Sequence, residues 1–139
     1  MSLKMSREER EAFLADLHVG VVSIGRQGKA PLTAPIWYDY EPGSKVWMIT
    51  GTSSLKAAAL ADTYQISLVA QTEAPPYQYV SVSGSCSTRD VAEGELLAMA
   101  IRYLGEEQGQ AYAAAAGGGG DFIVEFTPET WMTVDYSKM

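Results

Sequence analysis

Strict alternation of apolar and polar residues runs through the middle of the chain. Tyr64, Ile66, Leu68 and Ala70 alternate with Gln65, Ser67, Val69 and Gln71. Val80, Val82, Gly84 and Cys86 alternate with Tyr79, Ser81, Ser83 and Ser85 in the same way. Each pattern predicts a half-buried strand. Val21, Val22 and Ile24 ahead of Gln27-Gly28-Lys29 predict a strand entering a turn. Pro31 to Tyr40 predicts a second strand, and Pro42-Gly43-Ser44 turns it into a third, Lys45 to Thr50. Phe122, Val124 and Phe126 alternate again, and Thr127-Pro128-Glu129 separates them from a short final strand carrying Trp131, Val134 and Tyr136.

Helical spacing appears at the start and in the second half. Ser6 with Glu9 three residues on is a capping-box pattern, and Phe13, Leu14 and Leu17 supply the apolar stripe behind it. Leu97, Ile101 and Leu104 share one helical face and Leu96, Met99 and Tyr103 the neighbouring one. Gln110 to Ala116 continues as a second helical piece, which Gly117 to Gly120 stops. A short helix is expected after the third strand, and the sum is about six strands joined mostly by turns. That pattern predicts a mainly β, antiparallel barrel with flanking helices rather than alternating βαβ units. No internal repeat is present. Residues 6–139 read as a single domain, and residues 1–5, where MSLK precedes a second methionine, read as a cloning remnant left out of the fold.

Composition narrows the functional classes. The 139 residues are enough to bury a substantial core. Lysine plus arginine is 10 and aspartate plus glutamate 17, a net charge of −7. An acidic chain without a basic stripe is a poor partner for nucleic acid, whose affinity rests on phosphate neutralisation. No apolar run approaches the length of a membrane span, and no signal-peptide pattern opens the sequence. A single cysteine, Cys86, excludes an internal disulfide and fits a cytoplasmic setting. His18 is the only histidine and lacks a metal partner set. No glycine-rich dinucleotide fingerprint or P-loop occurs.

Three stretches carry possible chemistry. In TGTSSLK, residues 50–56, a helix capped by Thr52 or Ser53 would aim its free N–H groups outward, an arrangement suited to an anion. Thr50, Ser53 and Ser54 add hydroxyl donors and Lys56 a full charge; the plain alternative is a capped surface helix with a solvated lysine. In PLTAPIWYDYE, residues 31–41, Pro35 confines the strand to an edge or a bulge, leaving backbone groups that could hold the polar edge of a planar heterocycle. Trp37 and Tyr38 would face opposite sides, one packed inside and one reaching a ligand or partner; both could equally be core and interface aromatics. In PPYQYVSVSG, residues 75–84, Tyr77 and Tyr79 share one face, suited to a pocket or, better, a subunit contact.

The order of these pieces (P-I-W-Y on an edge strand, a strand ending W-M-I-T, S-S-L-K opening a helix, then I-S-L and P-P-Y-x-Y-V-x-V-x-G) resembles the pyridoxamine 5′-phosphate oxidase-like, flavin-binding split β-barrel family, over residues 8–136. That family includes small reductases using the deazaflavin coenzyme F-420. The resemblance implies a six-stranded Greek-key split barrel, a homodimer, and two cofactor sites at its interface, and so a flavin-dependent oxidoreductase acting on a small organic substrate. It assigns phosphate holding to Thr50, Ser54 and Lys56, and the ring edge to Pro35, Ile36, Trp37 and Tyr38. Gln78 and Tyr79 match a segment that approaches the cofactor, and Trp131 a C-terminal aromatic that reaches across from the other subunit. Leu55 stands where many members carry arginine, and the extension that closes the vitamin B6 site is missing, which argues against pyridoxamine phosphate as substrate. FMN is the expected cofactor because a deazaflavin's acidic tail wants several cations; deazaflavin coenzyme F-420 and a non-catalytic flavin carrier are the alternatives. Lys56→Ala is expected to weaken flavin binding by about 1.5–3 kcal/mol, the size of a charge-assisted hydrogen bond, as read by titration of the variant.

Overall fold

The computed structural model describes residues 1–51, 65–116 and 120–139. The short helix expected after Thr50, with Ser54 and Lys56, therefore lies outside the described residues. Helix α1 (Arg7–Ala15) precedes β1 (Gly20–Arg26), β2 (Lys29–Ile36), β3 (Asp39–Tyr40), β4 (Val46–Thr50), β5 (Gln65–Gln71) and β6 (Gln78–Asp90). Helices α2 (Glu95–Leu104) and α3 (Glu106–Ala116) follow, then β7 (Phe122–Phe126), β8 (Thr130–Asp135) and a closing 3-10 turn, Tyr136–Lys138.

Local chemistry explains most boundaries. The Ser6 hydroxyl accepts the Glu9 N–H at 3.1 Å and the Glu9 carboxylate accepts the Ser6 N–H at 2.7 Å, so the capping box forms as the sequence predicts. β1 and β2 form a hairpin through Gln27-Gly28, with Gly28 at φ +70°. Gly105, at φ +85°, ends α2 and separates it from α3.

The strands pair antiparallel in the order β2-β1-β5-β6-β7-β4-β3. The long strand β6 makes the fold a split barrel. Its first half pairs β5 on one side and β8 on the other, and its second half, Cys86 to Asp90, pairs β7. It thus belongs to two sheets and bends between them. The predicted alternations appear as burial: Ile66, Leu68 and Ala70 of β5, and Val80 and Val82 of β6, face one core with Val22, Ile24, Met48 and Phe126.

Three expectations need correction. The strand foreseen from Pro31 to Tyr40 is interrupted at Trp37 and Tyr38, for a reason given below. Strand β6 runs four residues beyond Cys86; the polar stretch Ser87 to Asp90 stays extended because Arg89 meets Glu125 of β7 at 3.2 Å. The amino-terminal residues are also part of the fold. The Asp135 N–H donates to the Leu3 carbonyl (2.8 Å), the Met5 N–H to the Thr133 hydroxyl (3.0 Å), and Met5 joins the core at 8% exposure.

At the bend of β6 sits Gly84. A methyl group there would run into the Thr127 carbonyl oxygen, because the β7–β8 connection crosses β6 at this point. That crossing is stapled by Glu129: its N–H donates to the Ser83 carbonyl (2.8 Å) and its carboxylate accepts the Ser85 N–H (2.9 Å). Gly84→Ala is expected to cost about 3 kcal/mol or more, the upper range for overpacking against an unyielding neighbour. Urea unfolding of the variant measures it, and a loss below about 1 kcal/mol would mean that the crossing can shift.

Candidate functional site

Among the described residues β2 is an edge strand, as Pro35 requires. Pro35 lies opposite Val21 and has no N–H to offer, so the bonded pairs of the ladder are its neighbours, Gly20 with Ile36 and Val22 with Ala34. By that alternation the carbonyl of Pro35 and the backbone groups of Thr33 face away from β1, toward the open edge.

Beyond Ile36 the chain leaves the ladder because Tyr38 turns inward. Its ring is fully buried and its hydroxyl donates to the Leu14 carbonyl at 2.7 Å. Two adjacent residues of α2 hold the break open. The Arg102 Nε–H donates to the Tyr38 carbonyl (3.1 Å), while its Nη2 donates to the Ala15 (3.2 Å) and Asp16 (3.1 Å) carbonyls at the end of α1. The Arg102 Nη1 lies 3.4 Å from the Asp39 carboxylate. The Tyr103 hydroxyl donates to the His18 carbonyl and accepts the Tyr38 N–H at 3.1 Å. Burial, its largest cause, holds the Tyr38 phenol far above the ordinary tyrosine value, and burial likewise raises Tyr103.

This arrangement presents Trp37. Its indole stacks on Tyr103 with centroids 4.9 Å apart and planes 4° from parallel, and tilts against Tyr112 of α3 at 5.5 Å. With Val19, Pro35, Ile36, Ile49 and Tyr112 it lines a cleft of about 360 Å³. That is the low end of the roughly 300–1,000 Å³ usual for small-molecule sites. Thr50 ends β4 one residue after Ile49.

Of the residues singled out in the sequence, Pro35, Ile36 and Trp37 come together here. Tyr38 does not: its hydroxyl and both backbone groups are engaged inside the protein, so it anchors the cleft rather than facing it. Gln78 and Tyr79 open β6 and do not line the cleft; the Gln78 N–H donates to the Thr72 hydroxyl at 2.9 Å. Trp131 lines a different cavity, edge-on to Tyr40 at 6.3 Å and beneath Arg10. Tyr103 and Tyr112 carry no signal in the sequence beyond their helical spacing, and only the fold reveals Tyr112 as a cleft wall and Tyr103 as the support stacked against Trp37. His18 stacks on Phe13 with its Nε2 3.1 Å from the Phe13 carbonyl oxygen. The Cys86 thiol is half-buried, and burial raises it above its ordinary value, which favours the protonated form.

Arg102→Lys keeps the charge but loses the planar fork, and is expected to cost about 1.5–3 kcal/mol in urea unfolding. Because the Tyr38 phenol ionises less readily in the fold, its contribution is intact below the unfolded value of about 10 and is lost as pH rises past it. Stability should therefore fall above about pH 10, and Tyr38→Phe should flatten that fall by up to one proton's worth of slope; an unchanged slope in the variant would remove Tyr38 as its source.

No family model matches the chain, and no curated protein matches it. Solved structures do match. The conserved hypothetical protein Rv2991 of Mycobacterium tuberculosis is 17% identical at a TM-score of 0.76, over 98% of this chain and 88% of that one. An F-420 reductase is 17% identical at 0.68, over 88% and 94% of the two chains. An FAD-binding protein of Mesorhizobium loti is 14% identical at 0.67, over 93% and 94%. Agreement over nearly the whole length at such low identity is agreement of backbone path, and the chain has the split β-barrel fold that these structures share.

Proposed function

We propose that the Trp37 cleft holds the ring system of a flavin and that the protein is a flavin-dependent oxidoreductase, with FMN as its cofactor. The carrying observation is the coincidence of an open, proline-marked strand edge with an aromatic-walled cleft. A flat heterocycle needs apolar faces and in-plane polar partners. Trp37, Ile36, Ile49 and Tyr112 supply the first, and the outward backbone groups of β2 the second. A bound flavin would supply hydride-transfer chemistry, while the chain's residues position it and exclude water. Thr50, at the end of β4 beside Ile49, together with Ser54 and Lys56, would take the phosphate. The cleft is small for a whole cofactor, which fits a site completed by a second copy in a homodimer. The FAD-binding and F-420 reductase proteins that share the fold support the reading at the level of flavin chemistry.

The cofactor choice follows from charge. The residues described around the cleft include no cation, and a deazaflavin's acidic tail would have little to meet there. The F-420 reductase among the similar structures favours that coenzyme as a second reading. A non-catalytic carrier is favoured by another observation: Tyr112 is the one titratable side chain lining the cleft among the described residues.

Titration with FMN and with deazaflavin F-420 side by side is expected to give tighter FMN binding; a tenfold preference for deazaflavin would reverse the assignment. The absorption spectrum and mass spectrum of the purified protein identify what it carries. Reduction of the bound cofactor with turnover on an acceptor separates enzyme from carrier, and sedimentation tests the dimer.

A further inference from the structure

A second cavity, of about 320 Å³, lies on the far side of Tyr40, between α1, the β3–β4 turn and the β7–β8 connection. At roughly 30 Å³ per liquid water it has room for a molecule of about ten water volumes. Arg10 of α1 spreads its guanidinium over the Trp131 ring, 4.5 Å from the centroid. Among the described residues it has no carboxylate partner, and its Nε is buried without a hydrogen-bond partner. Tyr40 is 4% exposed; its hydroxyl accepts the Gly43 N–H at 3.4 Å, but its own proton meets no acceptor among the described residues.

Each acidic group of the cavity has one partner. Glu11 is paired with Arg7 at 3.3 Å, and a Glu129 oxygen accepts the Ser85 N–H at 2.9 Å. The Arg10 Nε–H and the Tyr40 proton are thus donors without an acceptor among the described residues, beside an indole face. Arg7 and Arg10 balance Glu11 and Glu129, so the lining is neutral overall and suits one negative charge better than several.

We propose that this cavity binds a small organic oxyanion, seated on Arg10 and Tyr40 with its carbon portion against Trp131. A planar guanidinium and a nearby phenol can grip two oxygens of one carboxylate or phosphate group. The site is separate from the Trp37 cleft and does not depend on the flavin reading.

The test follows the Trp131 indole Nε1–H resonance of the full-length protein by NMR during titration with propionate and, separately, inorganic phosphate. A saturable shift with propionate, at least tenfold weakened in both R10Q and Y40F, is the expected result. The same behaviour with phosphate but not propionate would keep the oxyanion seat on Arg10 and Tyr40 and overturn the placing of a carbon portion against Trp131. A linear, unsaturable response that persists in Y40F, meaning an adventitious ion only, would overturn the proposal. Should R10Q fail to fold, R10K carries the comparison, since it keeps the charge and loses the fork; equal affinity in R10K and Y40F to the parent would also overturn it.

Discussion

The architecture around the cleft depends on one constraint: the backbone at Tyr38 is bonded to side chains of α2 rather than to a neighbouring strand. Arg102 ties the Tyr38 carbonyl to the final carbonyls of α1, and Tyr103 ties the Tyr38 N–H to the His18 carbonyl. A break in a sheet leaves donors and acceptors that would be costly to bury unpaired. Two side chains from one helix satisfy those of Tyr38, and the same contacts fix where α1, β2 and α2 meet. Trp37 is left facing outward on a stacked support, and that makes a cleft of what would otherwise be a strand surface.

The barrel itself rests on another economy. One strand serves two sheets, so β6 must bend where its partner changes from β8 to β7, and the connection between those partners must pass over it. Gly84 provides the space, and Glu129 closes the crossing with a backbone and a side-chain bond to the same strand. Charge pairing among Arg89, Glu95, Glu125 and Lys45 then covers the polar second half of β6. Hydrogen bonds to Arg89, the largest cause, keep the Glu95 carboxyl below its ordinary value, so Glu95 meets Arg89 as a carboxylate at neutral pH.

Features whose cause is local could be read from the sequence. The alternations of β5 and β6, the capping box of α1 and the edge position of β2 each follow from residues within a few positions of one another. Features that depend on distant residues could not. Whether Trp37 or Tyr38 turns inward is decided by Arg102 and Tyr103, more than sixty positions along the chain. The length of β6 beyond Cys86 is decided by Glu125 on another strand. The order of the motifs did carry the fold, because spacing between elements reflects topology. It did not separate the cleft-facing residues from the Tyr38 anchor beside them, since neighbours in a motif can point in opposite directions.

Pro31 and Pro35, both on the outermost strand, have a further effect. An unpaired edge ordinarily invites a strand from another molecule, which is how sheets grow into aggregates. A joining strand needs regularly spaced amide donors, and two prolines four residues apart interrupt that series. The same border that, among the described residues, is open to a flat small molecule is thereby closed to a pairing strand, so this sheet margin can stay unpaired without becoming a template for polymerisation.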